Sequence, residues 1–274
     1  MKKLLGMVVV VPLMTYGTAN AYHVGHDCPG DTLILFDGVT ATSCSVALSN
    51  TDGGSSYSFA SADLATGQLR ASATAQNGDT FSTTGYGSAQ LRDTITLNGS
   101  WSGDLHISMS MNIDGYFTGQ YTPSQTMLGM LSLSSASILE PSISRIDVAY
   151  SGDTPTVTNN YSLGLHSEVV TNPSATNFSA TLTADLLIPD TNPTFDIQAQ
   201  LIAWATPTGI DSVMTSNFAN TANLSFTLPD GIDFTSDSGV FLSVNPVPIP
   251  AAAWLFGSGL LGFIGVSQRK RRLA

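Results

Sequence analysis

Between Lys3 and Arg269 the chain has no lysine and only three arginines, Arg70, Arg92 and Arg145. All twenty acids lie in that stretch, from Asp27 to Asp237, which leaves it a net charge of −17. Nucleic acid and anionic membrane surfaces bind basic patches, and three scattered arginines build none. An acidic polysaccharide would be repelled as well, unless divalent cations bridged the two. Glutamate is nearly missing too, with only Glu140 (in "ILEP") and Glu168 (in "HSEVV"). Neither sits in the paired-carboxylate pattern that a glycosidase needs. No G-x-S-x-G elbow occurs between the two ends of the chain, and only His106 and His166 lie outside the N-terminal segment. A Ser-His-acid hydrolase is therefore not indicated. No helical periodicity of 3.6 residues runs through residues 22–246.

Cysteine is reduced to Cys28 and Cys44. An even count in an exported chain reads as one disulfide, whose loop closure stabilises a fold by about 3 kcal/mol. "HVGHDC" also brings His23, His26 and Asp27 beside Cys28, an alternative metal site whose spacing matches no zinc pattern. Eighteen of the acids are aspartates, many beside glycine in strings such as "TDGG", "IDGY", "SGDT" and "LPDGID". Aspartate suits turns, because its short carboxylate accepts from nearby backbone N–H groups. Asp-rich loops outside cells also hold Ca²⁺, but no EF-hand spacing is present, so no cofactor is expected beyond that weak possibility.

What is plentiful is alternation. In "DLHISMSMNID", Leu105, Ile107, Met109, Met111 and Ile113 point one way, and His106, Ser108, Ser110 and Asn112 the other. Phe178, Ala180, Leu182, Ala184 and Leu186 share one face of a second run. Leu69 to Ala75 and Ala222 to Leu228 alternate in the same way. This is the period of strands with one buried and one wet face. Asn77-Gly78, Asn98-Gly99, Asp114-Gly115 and Pro229-Asp230-Gly231 read as the intervening turns. About twelve strands are expected from such runs. They imply an all-β fold, an antiparallel β-sandwich of jelly-roll-like form, over residues 22–239. Residues 240–246 read as a linker, and the turn-rich "SGDTPTVTNN" (151–160) as a possible seam within the body.

The two ends are different in kind. Lys2 and Lys3 precede an apolar run from Leu4 to about Tyr16, and small residues close it at Ala19-Asn20-Ala21. That is a secretory signal peptide over residues 1–21, with cleavage after Ala21. At the other end, Ala251 to Val266 carries no charge across 16 residues. As a helix it spans about 24 Å, and arginine side chains can reach outward to relieve the mismatch with a ~30 Å hydrocarbon core. Pro248 and Pro250 mark its start. Arg269, Lys270, Arg271 and Arg272 would stay on the cytoplasmic side, leaving the body outside.

Val247-Pro248-Ile249-Pro250-Ala251, the apolar stretch and the basic end together resemble a PEP-CTERM sorting signal. The likeness is to its V-P-L-P-A variant, with Ile249 for leucine and no glutamate between the prolines. It covers residues 247–274. "SADLATGQLRASATAQ" and "NFANTANLSFTLPDGIDFTSDSGVF" are similar to body segments of other PEP-CTERM proteins, for which no activity is assigned. The resemblance implies an exosortase, a membrane transpeptidase acting near the proline motif, and an exported envelope protein of a Gram-negative exopolysaccharide producer. The expected partners are the Sec export machinery and the exosortase in passing, the membrane through the C-terminal helix, and polysaccharide. The expected location is an inner-membrane-anchored precursor, then the cell surface or extracellular space.

The function so implied is structural or adhesive in exopolysaccharide matrix, without catalysis. A carbohydrate-binding module is the alternative, and a glycoside-acting enzyme the next. For the alternative, Trp101 in "NGSWSG" and Trp204 at the end of "DIQAQLIAW" are the candidate sugar platforms, against the plain reading of both as packing. Asn98, Asn160, Asn177 and Asn223 each open an N-x-S sequon.

Overall fold

The computed structural model describes residues 22–28, 34–37, 40–49, 51, 53–79, 83–119, 125–135, 141–151, 154–163, 167–173 and 177–243. The expected signal peptide and the sorting signal at 247–274 lie outside them. Fifteen strands form among the described residues: β1 His23–Asp27, β2 Ile34–Asp37, β3 Ala41–Ser49, β4 Ser55–Asp63, β5 Gln68–Gln76, β6 Gly85–Asn98, β7 Asp104–Gly119, β8 Gln125–Ser134, β9 Ser142–Ser151, β10 Thr154–Leu163, β11 Ser167–Pro173, β12 Asn177–Pro189, β13 Thr194–Ala205, β14 Val213–Thr227 and β15 Asp233–Ser236. There is no helix among these residues.

The strands make two antiparallel sheets. One runs β10-β9-β8-β13-β6-β1-β2, with β15 also on β6; the other runs β11-β12-β7-β14-β5-β4-β3. They are called sheet A and sheet B below. Their inner faces share one apolar core, so the arrangement is sandwich-like. The alternating runs supply it. Ile107, Met109, Met111 and Ile113 of β7 are fully buried, as are Leu69, Ala71, Ala73 and Ala75 of β5. Phe178, Leu182 and Leu186 of β12 and Ala222 and Leu224 of β14 are buried as their pattern requires. Sheet A answers with Ala89, Leu91 and Ile95 of β6 and Phe195, Ile197, Ala199 and Leu201 of β13.

The structure bears on three expectations. Asp114-Gly115 is no turn; it lies inside β7, where Gly115 pairs with Phe178 of β12. Glycine stands there because a Cβ would strike the Phe218 ring and come within 2.5 Å of the Asn217 carbonyl oxygen. The described residues of 151–160 lie in paired strands. Thr154–Leu163 is a regular strand paired with β9, bent by a bulge between Val157 and Asn159. Residues 240–243 do not behave as a free linker. Phe241 is 3% exposed and edge-on to Phe234, and Leu242 N–H donates to the Leu64 carbonyl at 2.9 Å. The body therefore extends at least to Ser243.

Candidate functional site

Cys28 follows β1 in sheet A and Cys44 lies on β3 in sheet B, and the two form a disulfide. The bond thus ties one sheet to the other along one side. A disulfide is the chemistry of an oxidising compartment. Alternation along β1 divides the nearby histidines. Val24 and His26 turn toward sheet B, where His26 Nδ1 lies 2.8 Å from Thr42 Oγ1 of β3. His23 and Asp27 are on the opposite parity. Period two therefore splits the "HVGHDC" constellation between two faces, and the disulfide takes the thiol. Among the described residues, no group of three or more His, Cys, Asp or Glu converges.

The two candidate tryptophans do not meet. Trp204 pairs with Tyr86 across β13 and β6, and Thr194 pairs with Thr96, so Trp101 follows the far end of the same ladder. Trp204 is half-buried on the outer face of sheet A, its ring 5.5 Å from that of Tyr86. Tyr86 is itself half-buried, and that burial pushes its hydroxyl above the ordinary tyrosine range. Trp101 packs against the core edge, and its Nε1 is buried with no hydrogen-bond partner among the described residues. His106 projects from the wet face of β7, 3.3 Å from Asp185. Glu140 lies outside the described residues; Glu168 pairs with Thr183 in the β11–β12 ladder, and its side chain is not described.

The buried acids have structural partners. Asp93 sits on the inward parity of β6, between Leu91 and Ile95, and is fully buried. Its carboxylate accepts from Ser238 Oγ at 2.6 Å, Ser238 N–H at 3.2 Å and Thr94 N–H at 2.8 Å. Burial outweighs these bonds and holds its carboxyl above the usual aspartate range. Asp93 thereby docks the segment that follows β15. An acid on the apolar parity of "SAQLRDTITLN" was the signal that could have found it. Asp147 of β9 is 1% exposed and held by Arg145 in a bidentate pair at 3.1 Å.

The outer face of sheet B is a field of hydroxyls and amides. Ser110 meets Ser225 at 2.7 Å, Thr181 donates to Asn112 at 2.8 Å, and Thr74 meets Thr215 at 3.1 Å. Over β3, β4 and β5 this face hollows into a depression of about 330 Å³. Short residues, Ala41, Ser43 and Ser61, line it beside the longer Asp63, Gln68 and Arg70. Arg70 Nη2 donates to Gln68 Oε1 at 2.7 Å. Arg92 and Arg145 each face a carboxylate, whereas none lies within ion-pair reach of Arg70 among the described residues. Sequence patterning missed this hollow. Its only signal was the scarcity of arginine, which makes each one informative.

No known family model matches the chain, and no characterised protein matches its sequence.

Proposed function

We propose that this chain is an exported cell-envelope protein, sorted by an exosortase, with a structural or adhesive role in exopolysaccharide matrix. The observation that carries this reading is the Cys28–Cys44 bond joining the two sheets. It needs oxidation after export, which is what a signal peptide ending at Ala21 would provide. The body would then stand outside the membrane, held by the helix at 251–266 and fixed by Arg269, Lys270, Arg271 and Arg272. Cleavage near Val247 to Ala251 would release it to the surface or the matrix.

Phe241 and Leu242 pack onto the body, and Ser243 stands four residues before Val247, so the folded body reaches close to the proposed cleavage region. A non-catalytic role is supported by the partners of the buried acids. Asp93 anchors Ser238 and Asp147 anchors Arg145, which leaves both in structural use. The fold we propose is a jelly roll. The orders β5-β14-β7-β12 and β6-β13-β8-β9 support it, because the chain passes from sheet to sheet between β5 and β8 and returns between β12 and β14.

The test is the intact mass of the mature protein from its native host, beside a variant with Pro248→Ala and Pro250→Ala. The expected result is loss of the tail from near residue 247 in the wild type and retention in the variant. A full tail in both would make the segment a plain anchor and end the sorting reading. Added mass on the cleaved form would report attached glycan or lipid.

A further inference from the structure

We infer that the hollow on the outer face of β3, β4 and β5 is a binding site for a neutral hexose unit of a polysaccharide. The inference deepens the matrix reading and rests on it for the polymer that the site would meet. Alternation along β4 sends Ser58, Ala60 and Ala62 into the core and Tyr57, Phe59, Ser61 and Asp63 outward. Tyr57 is 46% exposed. Phe59 follows it on the same face, about 7 Å on by the strand repeat, and Ser61 begins the hollow. Phe59 is thus the outward neighbour of the depression, and Tyr57 stands about 14 Å from Ser61, where the next units of the same polymer would lie. Sugar rings present two kinds of surface, C–H groups on one face and hydroxyls around the rim, and such sites combine aromatic area with a few placed polar groups.

The polar groups suit hydroxyls in particular. Arg70 keeps N–H donors beyond the one given to Gln68. Asp63 accepts Ala65 N–H through Oδ1 at 2.9 Å, which leaves its second oxygen as an acceptor. Ser43 and Ser61 can do either. One cation and one anion cancel within the hollow, so neither an anionic nor a cationic ligand is favoured. The body's net charge of −17 disfavours a polyanion further.

The backbone also changes here. β14 slips register against β5 between Phe218 and Ala222, opposite Arg70, and against β7 between Asn217 and Thr221. Bulges of this kind re-aim side chains and recur beside functional sites. Asn217 Oδ1 caps the bulge by accepting Ala219 N–H at 3.0 Å. The site differs from the tryptophan platforms expected earlier, because Tyr57 and Phe59 are successive outward residues of one strand, whereas Trp101 and Trp204 lie toward opposite ends of the β6–β13 ladder.

The test is affinity electrophoresis of the full-length protein in detergent micelles. The gels contain dextran or galactomannan as neutral probes, or alginate as a polyuronate. Retardation by a neutral polymer is expected, with affinity weakened about tenfold or more by Arg70→Ala and by Tyr57→Ala. Tyr57 is exposed, so its variant keeps the fold if Arg70→Ala does not. Thr227→Ala, on the same sheet face but away from the hollow, should be retarded as the wild type is. Equal retardation of the Arg70 and Tyr57 variants and the wild type would overturn the site. So would retardation by alginate alone, or by no polymer. None of these outcomes touches the sorting reading, which the mature mass decides separately.

Discussion

The sandwich has two halves built on different terms. On the β4–β5 side, the inner face is mostly small, with Ser56, Ser58, Ala60, Ala62, Ala71, Ala73 and Ala75 beside one larger residue, Leu69, and it faces Gly85, Gly87 and Ala89 of β6. The sheets come so close that Tyr86 N–H of sheet A donates to Ser58 Oγ of sheet B at 3.0 Å. On the β7–β12 side, the inner face is Ile107, Met109, Met111, Ile113, Phe117, Phe178 and Leu182. There Phe117 lies edge-on to Phe218, with ring centroids 5.2 Å apart. Burying a large apolar side chain stabilises by about 1.5–3 kcal/mol, and alanine offers far less area. The thin half carries a covalent tie as well, the disulfide from Cys28, just after β1, to Cys44 of β3. A single alternating pattern thus serves two spacings, and side-chain volume decides which.

The largest test of this contrast is Phe117→Ala. It should lower stability by about 4 kcal/mol, read by urea unfolding, because it opens a cavity between Phe178 and Phe218. A loss below about 1 kcal/mol would mean that the thick half is loosely packed.

Gly87→Ala probes the thin half from the opposite direction. Its Cβ would strike the Phe59 carbonyl oxygen and come within 2.9 Å of that of Ser72, both backbone atoms of the facing sheet. A cost of about 3 kcal/mol is expected, since backbone cannot step aside. Gly129→Ala is the matched control in the thick half. It meets the Cδ1 methyl of Ile113, the end of a flexible side chain, and should stay within about 1 kcal/mol. Equal costs at the two glycines would erase the distinction between the halves.

Removing the tie by Cys28→Ser with Cys44→Ser should cost about 3 kcal/mol. Hydrogen exchange should rise in β1 and β3 and not in β7 and β12. Uniform exchange would show that the bond serves the whole body equally.

The smallest effect concerns pH. Burial raises the Asp93 carboxyl, so the native state holds its proton more tightly than the unfolded chain. The stability so gained is complete below the ordinary aspartate value of about 3.9 and is lost as pH rises through the raised native value. Asp93→Asn should therefore melt higher than the wild type at pH 7, and the gap should close toward pH 3.5. A gap that is independent of pH would mean that Asp93 is not desolvated in the native state.

Much of the fold was legible because period two is a local property. The buried rows of β5, β7, β12 and β14 can be read from neighbouring letters. Asp114-Gly115 misled because a turn pair and a mid-strand glycine look alike until Phe218 is known to lie against it. Val240, Phe241 and Leu242 looked like a tether because their partners, among them Leu64, Gly67 and Phe234, are remote in sequence or belong to a short strand. The histidine constellation near Cys28 dissolved for a local reason: strand alternation sends neighbouring residues to opposite faces.

The sequence by itself determined that this chain builds one-sided antiparallel strands and that its body is acidic. Each of these depends on spacing or composition within a short window. Only the tertiary structure decided which rows face each other, that Cys28 and Cys44 join two sheets, and that Ser43, Ser61 and Arg70 line one hollow. Those outcomes depend on partners such as β5 with β14, whose paired residues Ala71 and Phe218 are far apart along the chain. Such pairings are selected by how well two faces fit, which no single stretch of either strand can express.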